Sequence, residues 1–190
     1  AYQCRCGTAI FFLNSQCLSC KTPLGYLPSA LSLGALNLGP ASDTIGVDSR
    51  DGHYKYCSNR NTPAMCNWLL DARDPASLCI ACRLNRTIPN LGDTDNVRYW
   101  GKIEAAKRRL VTQLLALGLP VKSRIGEDPE RGLMFDFLRS PPEGPAVMTG
   151  HANGLITMNV EEADDAKREK IKYDLHEPYR TLLGHFRHEV

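Results

Sequence analysis

All eight cysteines of the chain fall within its first 82 residues, in two sets of four: Cys4, Cys6, Cys17 and Cys20, then Cys57, Cys66, Cys79 and Cys82. Each set contains a C-x2-C pair, Cys17 with Cys20 and Cys79 with Cys82. Two thiolates at that spacing curl around one ion at a bond length of about 2.3 Å, and four of them close a tetrahedral shell around zinc. The count is therefore that of two structural zinc ions. A closed Cys4 shell leaves no open position for water, so the chemistry expected of these residues is scaffolding or recognition, not catalysis.

The first set is the sharper. Cys4-Arg5-Cys6-Gly7 makes one knuckle, ten residues follow Cys6, and Cys17-Leu18-Ser19-Cys20 makes the second. Gly7 lets the backbone turn under the metal at little steric cost. Between the knuckles, Thr8 to Ser15 has the β-branched and aromatic content of a strand followed by a turn. This is the layout of a zinc ribbon. In the second set eight residues separate Cys57 from Cys66 and twelve separate Cys66 from Cys79, so its first half reads as a loop. A Cys4 zinc site is the preferred reading there, with paired disulfides or buried free thiols as the alternative. Sequential grouping is chosen over a cross-braced sharing of ligand pairs.

A second concentration of chemistry lies at the other end. His188-Glu189-Val190 is the start of H-E-x-x-H, in which two histidines four apart on one helical face bind zinc and the glutamate acts as general base on a zinc-bound water. The sequence stops at Val190, before the second histidine. On composition alone, His185, His188 and Glu189 suit a solvated polar face. A compromise site from His185 and His188, with Glu189 or His176 near them, has nothing to fix a third ligand.

The elements that must position these groups follow from patterning. With 190 residues, 43% hydrophobic, 23% charged and a net charge of +2, the chain can bury a sizeable core. It has no transmembrane-length apolar run, and its modest charge gives no general argument for nucleic-acid or membrane binding. It opens on Ala1 without a signal peptide, and reduced, metal-bound cysteines then predict the cytoplasm. Residues 1–28 are read as the first ribbon, and 29–92 as a linker plus the second Cys4 region, with Trp68, Leu69 and Leu70 in the core. Within 29–50, Leu31, Leu33, Leu36 and Leu38 suit either a strand or a loop. Residues 93–190 are read as an α+β region.

In that region Asp93-Thr94-Asp95-Asn96 offers N-caps for a helix over Val97 to Leu117, whose stripe is Ile103, Ala106, Leu110, Leu114 and Leu117, stopped by Gly118. Lys107-Arg108-Arg109 reads as a solvated face of that helix. Strands are expected at Leu133 to Leu138, Val147 to Thr149 and Leu155 to Val160, with Asn153-Gly154 as a hairpin turn. A helix over Glu161 to Ile171 follows, and then a last helix with Pro178 in its first turn and Tyr179, Leu182, Leu183, Phe186 and Val190 on one face.

The chain resembles the bacterial zinc-binding metallopeptidases that carry an N-terminal zinc ribbon. The stretches that carry the likeness are Cys4-Arg5-Cys6-Gly7 with Cys17-Leu18-Ser19-Cys20, and Leu78 to Leu91. They continue with Ala105 to Val111, Gly154 to Asp165 and Glu177 to Glu189. The resemblance implies a truncated zincin-like α+β region, His188 as first catalytic zinc ligand, Glu189 as general base, and Leu155 to Val160 as the edge strand above a peptide cleft. A protein or peptide substrate is implied, and a catalytic zinc only in a longer chain, so the chain as read is expected to be inactive. The alternative is a zinc-ribbon module binding nucleic acid or a protein partner, with Arg83, Arg86 and Lys107 to Arg109 as a basic surface and Tyr99 and Trp100 free to stack.

Overall fold

The computed structural model describes residues 2–38, 44–48, 50–175 and 181–190. His176, Pro178 and Tyr179 lie outside them. The chain divides into two compact units, Ala1–Ile80 and Ala81–Val190. It is an α+β protein.

The first unit begins with a short antiparallel pair, β1 (Tyr2–Gln3) and β2 (Ala9–Ile10), paired Tyr2 to Ile10 and Gln3 to Ala9. A five-stranded antiparallel meander follows: β3 (Leu24–Leu27), β4 (Ser32–Leu38), β5 (Ile45–Val47), β6 (Arg50–Tyr56) and β7 (Leu69–Asp71), side by side in chain order. Within the leucine-rich segment, Ser32–Leu38 is strand. Leu33 and Leu36 are buried, Leu38 is exposed, and Leu31 turns the chain in the left-handed region at φ 48°. Leu27, Leu36, Ile45, Val47 and Leu69 form the core cluster.

An aromatic group sits beside it, with Tyr26 4.9 Å from both Phe12 and Trp68 between ring centroids. Trp68, Leu69 and Leu70 are buried as expected. Buried Asn67 donates through Nδ2 to the carbonyls of Phe12 and Asn14, at 2.7 and 3.1 Å. The loop between the first two cysteine knuckles is therefore tied to the residue next to Cys66. Both N–H groups of this buried amide are thereby satisfied by loop carbonyls.

The second unit runs β8 (Asn85–Thr87), α1 (Thr94–Ala116), β9 (Met134–Leu138), β10 (Gly150–Ala152), β11 (Leu155–Asn159), α2 (Asp165–Leu175) and α3 (Leu182–Glu189). Its sheet has the order β10-β11-β9-β8. β8 and β9 are parallel neighbours, with α1 as the crossover that parallel pairing requires. Asp93 caps α1, accepting from the N–H groups of Asp95 and Asn96 at 2.8 and 3.2 Å. At the other end Gly118, at φ 72°, lets the Gly118 and Leu119 amides reach back to the carbonyls of Leu115 and Leu114, a Schellman ending.

Two strand expectations need correction. The strand placed at Val147 to Thr149 lies three residues later, at Gly150–Ala152. The turn decides this: Asn153 (φ 49°) and Gly154 (φ 83°) form a two-residue primed turn, so pairing starts immediately at Ala152 with Leu155. Leu155–Asn159 is not an edge strand; it is flanked by β10 and β9, and β10 is the edge.

The helix expected from Glu161 breaks into a 3-10 turn, Val160–Ala163, and then α2. Asp164 sits at the break, where its Oδ1 accepts from the amides of Ala166 and Lys167 and its Oδ2 from the Tyr99 hydroxyl at 2.7 Å. The Tyr99 hydroxyl, helped by those amides, holds its carboxyl down at about 2.

The core face of the sheet carries Phe135 and Phe137, whose rings meet Phe186 of α3 at 5.7 and 6.4 Å. On the other side of β9, Asp136 is held by a bidentate pair with Arg86 of β8, which lowers its pKa.

Candidate metal centres

In the first set, the Sγ atoms of Cys4, Cys6, Cys17 and Cys20 lie within 4.8 Å of one another. Cys4 to Cys20 and Cys6 to Cys17 are both 3.7 Å. Four sulfurs held about 2.3 Å from a central ion stand about 3.8 Å apart at the corners of a tetrahedron, whereas a disulfide needs about 2.05 Å. The donors therefore fit zinc.

Each knuckle is built in the same way. The residue after the second cysteine is left-handed, Gly7 at φ 86° and Lys21 at φ 60°. Its amide then donates to the carbonyl of the first cysteine, Gly7 to Cys4 at 2.8 Å and Lys21 to Cys17 at 3.0 Å. One residue further on, the Thr8 and Thr22 hydroxyls lie 3.3 and 3.1 Å from the sulfurs of Cys6 and Cys20. The Thr8 hydroxyl, with the Thr8 amide, lowers the Cys6 thiol to about 6, and Thr22 likewise lowers that of Cys20. Both thiolates are thus favoured in the form that binds metal. The repeated Cys-x-Thr is a legible signal for these supports that attention to the cysteines alone misses.

The second set, Cys57, Cys66, Cys79 and Cys82, meets the same 4.8 Å limit, and Cys66 and Cys79 are 3.7 Å apart. No disulfide joins any of the eight cysteines, so the disulfide alternative falls, and the grouping is sequential. A 3-10 turn, Ser58–Asn61, starts right after Cys57, and Cys66 returns to it through an amide bond to the Asn59 carbonyl at 3.0 Å. The irregular spacing is this turn. The Cys79 amide points at Cys57 Sγ, at 3.4 Å. Unlike the first set, in which Cys6 and Cys20 are exposed, all four residues here are buried.

Around Cys82 lies a polar group that sequence reasoning does not find. Glu104 and Lys107, one turn apart on α1, are both fully buried, with Lys107 Nζ 2.7 Å from Glu104 Oε1. Lys107 also donates to Asn85 Oδ1, and Asn85 Nδ2 to Glu104 at 2.9 Å. The ammonium lies 5.7 and 5.4 Å from the ring centroids of Phe135 and Phe137, within cation–π range. Glu104 Oε2 is 3.8 Å from Cys82 Sγ. Burial pushes the Glu104 carboxyl up, opposed by Lys107.

The solvated-face reading of Lys107-Arg108-Arg109 is therefore wrong for Lys107 and Arg108, both buried, and holds for Arg109 alone. The buried stripe of α1 is Tyr99, Trp100, Ile103, Glu104, Lys107, Leu110 and Val111, and Leu117 is exposed. A carboxylate and an ammonium at i and i+3 inside a run of helically spaced apolar residues is the available signal. Lys107→Met is expected to cost about 3–5 kcal/mol, because it strands a buried carboxylate. Adding Glu104→Gln should recover part of that loss. Urea unfolding of the zinc-loaded chain reads both, and a single-variant cost under about 1 kcal/mol contradicts a buried pair.

The histidines do not converge. His188 is exposed, and His185 Nε2 faces Glu162 of the 3-10 turn at 3.6 Å. Glu189 is mostly buried, with its Oε2 3.0 Å from Nδ1 of His151 on β10, a contact between elements that sequence spacing does not reveal. Among the described residues the two cysteine sets are the only groups of three or more potential ligands gathered this closely, so His185, His188 and Glu189 are not gathered as a site, and the version with His176 lies outside the described residues. Tyr99 and Trp100 are buried, so neither is free to stack as the alternative reading expects, and Arg86 is paired with Asp136.

A family model described as "Putative zinc-binding metallo-peptidase" matches residues 96–190, half of the chain, and a zinc-ribbon domain model matches residues 1–93. The chain belongs to this zinc-binding metallopeptidase family. Uncharacterized proteins of Mycobacterium bovis and of two Mycobacterium tuberculosis strains are 40% identical over 185 residues, covering 97% of this chain and 50% of their own length. The chain thus spans about half the length of the curated relatives it matches. No solved structure matches it. For a family member with a zinc-ribbon portion, zinc is the ion its two Cys4 groups suit. No helix among the described residues is long and apolar enough to cross a membrane.

Proposed function

We propose that this chain is the zinc-binding portion of a zinc-dependent peptide hydrolase, in which Cys4, Cys6, Cys17 and Cys20 hold one structural zinc and Cys57, Cys66, Cys79 and Cys82 a second. The observation that carries this is the gathering of four sulfurs within 4.8 Å of one another in each set, with Cys4–Cys20, Cys6–Cys17 and Cys66–Cys79 at 3.7 Å, which suits a tetrahedral zinc shell. Residues 1–92 then act as the metal-stapled ribbon and linker, and residues 93–190 as the start of a zincin-like peptidase region. His188 and Glu189 supply the first ligand and the general base of a catalytic site that residues beyond Val190 complete. Exposed His188 suits a ligand that waits for partners from elsewhere in the polypeptide. When bound, a catalytic zinc would polarise the scissile carbonyl and lower the pKa of its water.

On this reading the 190-residue chain alone hydrolyses no peptide, and the protein acts on polypeptide in the cytoplasm. The test is metal content. Chain purified under reducing conditions should hold about two zinc ions that survive gel filtration. About one ion, or none, refutes the two-site reading. The sequence of the longer protein tests the catalytic half, since the second residue after Val190 must be histidine.

A further inference from the structure

The two cysteine sets differ in one respect that matters for their chemistry. In both the four sulfurs lie within 4.8 Å of one another, but the second set is wholly buried whereas the first presents Cys6 and Cys20 at the surface. A zinc-bound thiolate remains a nucleophile, and access decides which of two similar sites reacts. The exposed cysteines also have ready partners: Cys6 Sγ is 3.7 Å from Cys17 Sγ, and Cys20 Sγ is 3.7 Å from Cys4 Sγ. Both pairs join one knuckle to the other.

We propose that the first Cys4 set is an oxidant-sensing site, modified at Cys6 or Cys20 by hydroperoxides and thereby emptied of zinc while the second set keeps its ion. The inference rests on the two-zinc reading above. In the first step the Cys6 thiolate attacks hydrogen peroxide. An S–O bond forms, the O–O bond breaks and hydroxide leaves, so sulfur is oxidised by two electrons and peroxide is reduced. In the second, the Cys17 thiolate attacks the Cys6 sulfur, an S–S bond forms, the S–O bond breaks and a second hydroxide leaves. Two thiolates and one peroxide have become one disulfide and two hydroxides. The site retains only Cys4 and Cys20, too few to hold zinc against a chelator. Attack at Cys20 leads by the same steps to a Cys4–Cys20 disulfide. A thiol reductant and added zinc reverse the change.

The experiment uses the zinc-loaded 190-residue chain, hydrogen peroxide and a chromogenic zinc chelator, with alkylation and peptide mass mapping at each time point. About one zinc ion per chain is expected to leave in a first phase, at least about tenfold faster than the other. Cys6–Cys17 or Cys4–Cys20 should be the disulfide found, with Cys57, Cys66, Cys79 and Cys82 still alkylated as thiols. Loss of both ions at one rate, first oxidation in the second set, or no release while free glutathione is consumed would each overturn the proposal. Fewer than two ions before peroxide is added counts against the two-zinc reading. Two ions released together count against the sensing site alone.

Discussion

Cys17→Ser should leave the chain with one zinc ion in place of two and unfold the segment from Tyr2 to Thr22, while α1 stays helical. Cys17 is fully buried, its amide donates to the Thr22 carbonyl at 2.9 Å, and its sulfur faces that of Cys6. A structural zinc in a small module contributes apparent binding energy of about 10–16 kcal/mol, and a serine hydroxyl does not replace the thiolate. Little else within the segment is buried. Its strands β1 and β2 are two residues each, Phe11, Leu13 and Leu18 are exposed, and Ile10 is its one fully buried aliphatic side chain.

The remaining anchors are the Asn67 bonds to Phe12 and Asn14, the Leu24 amide bond to the Ser15 carbonyl, the Arg5 contacts with Asn37 and Asp48, and the edge-on rings of Tyr2 and Phe12 against Tyr26 and Trp68. At about 1 kcal/mol per net hydrogen bond, these cannot offset the loss of the metal. Helix α1 has its own supports, the Asp93 cap and a buried stripe over β9, so its far-ultraviolet signal should persist. Hydrogen exchange over residues 2–22 and zinc content read the two halves of this outcome. Zinc content unchanged at two would remove Cys17 from the ligand set.

The sequence makes some of this arrangement visible and hides the rest for identifiable reasons. Ligand chemistry is local: a C-x2-C pair and its partner knuckle declare themselves within about twenty residues, and so do the Asp93 cap, the Gly118 stop and the Asn153-Gly154 turn. What stays hidden is long-range. A basic run usually lies in water, yet Asn85 and Glu104 satisfy the Lys107 ammonium inside the fold. Leu155–Asn159 has the pattern of a strand, but its place in the sheet depends on which pairs form across it, and β10 takes the edge. Residues 29–50 are ambiguous because Gly34 and buried Ala35 break strict alternation in a strand packed on both sides. The partnership of Glu189 with His151 joins residues 38 apart, with nothing in either neighbourhood to announce it.

That partnership makes Glu189→Gln the discriminating change in the longer protein. If Glu189 is the general base of a completed H-E-x-x-H site, removing its ability to take a proton should lower the rate of peptide hydrolysis by about 10²–10⁴-fold. The fold should barely register it. Gln has the same shape as Glu, and its amide can still meet His151 Nδ1 at the 3.0 Å now spanned by the carboxylate. α3 should also remain in place, because Phe186 stays packed on Phe135 and Phe137 and the Thr181 cap still accepts from the Gly184 amide at 3.0 Å. His188→Ala separates ligand from base. It should cost one zinc ion per protein while the eight cysteines keep theirs, whereas Glu189→Gln should leave the metal content intact. A Glu189→Gln variant that cleaves peptide at the parental rate would show that the glutamate beside His188 serves the His151 contact and not the chemistry.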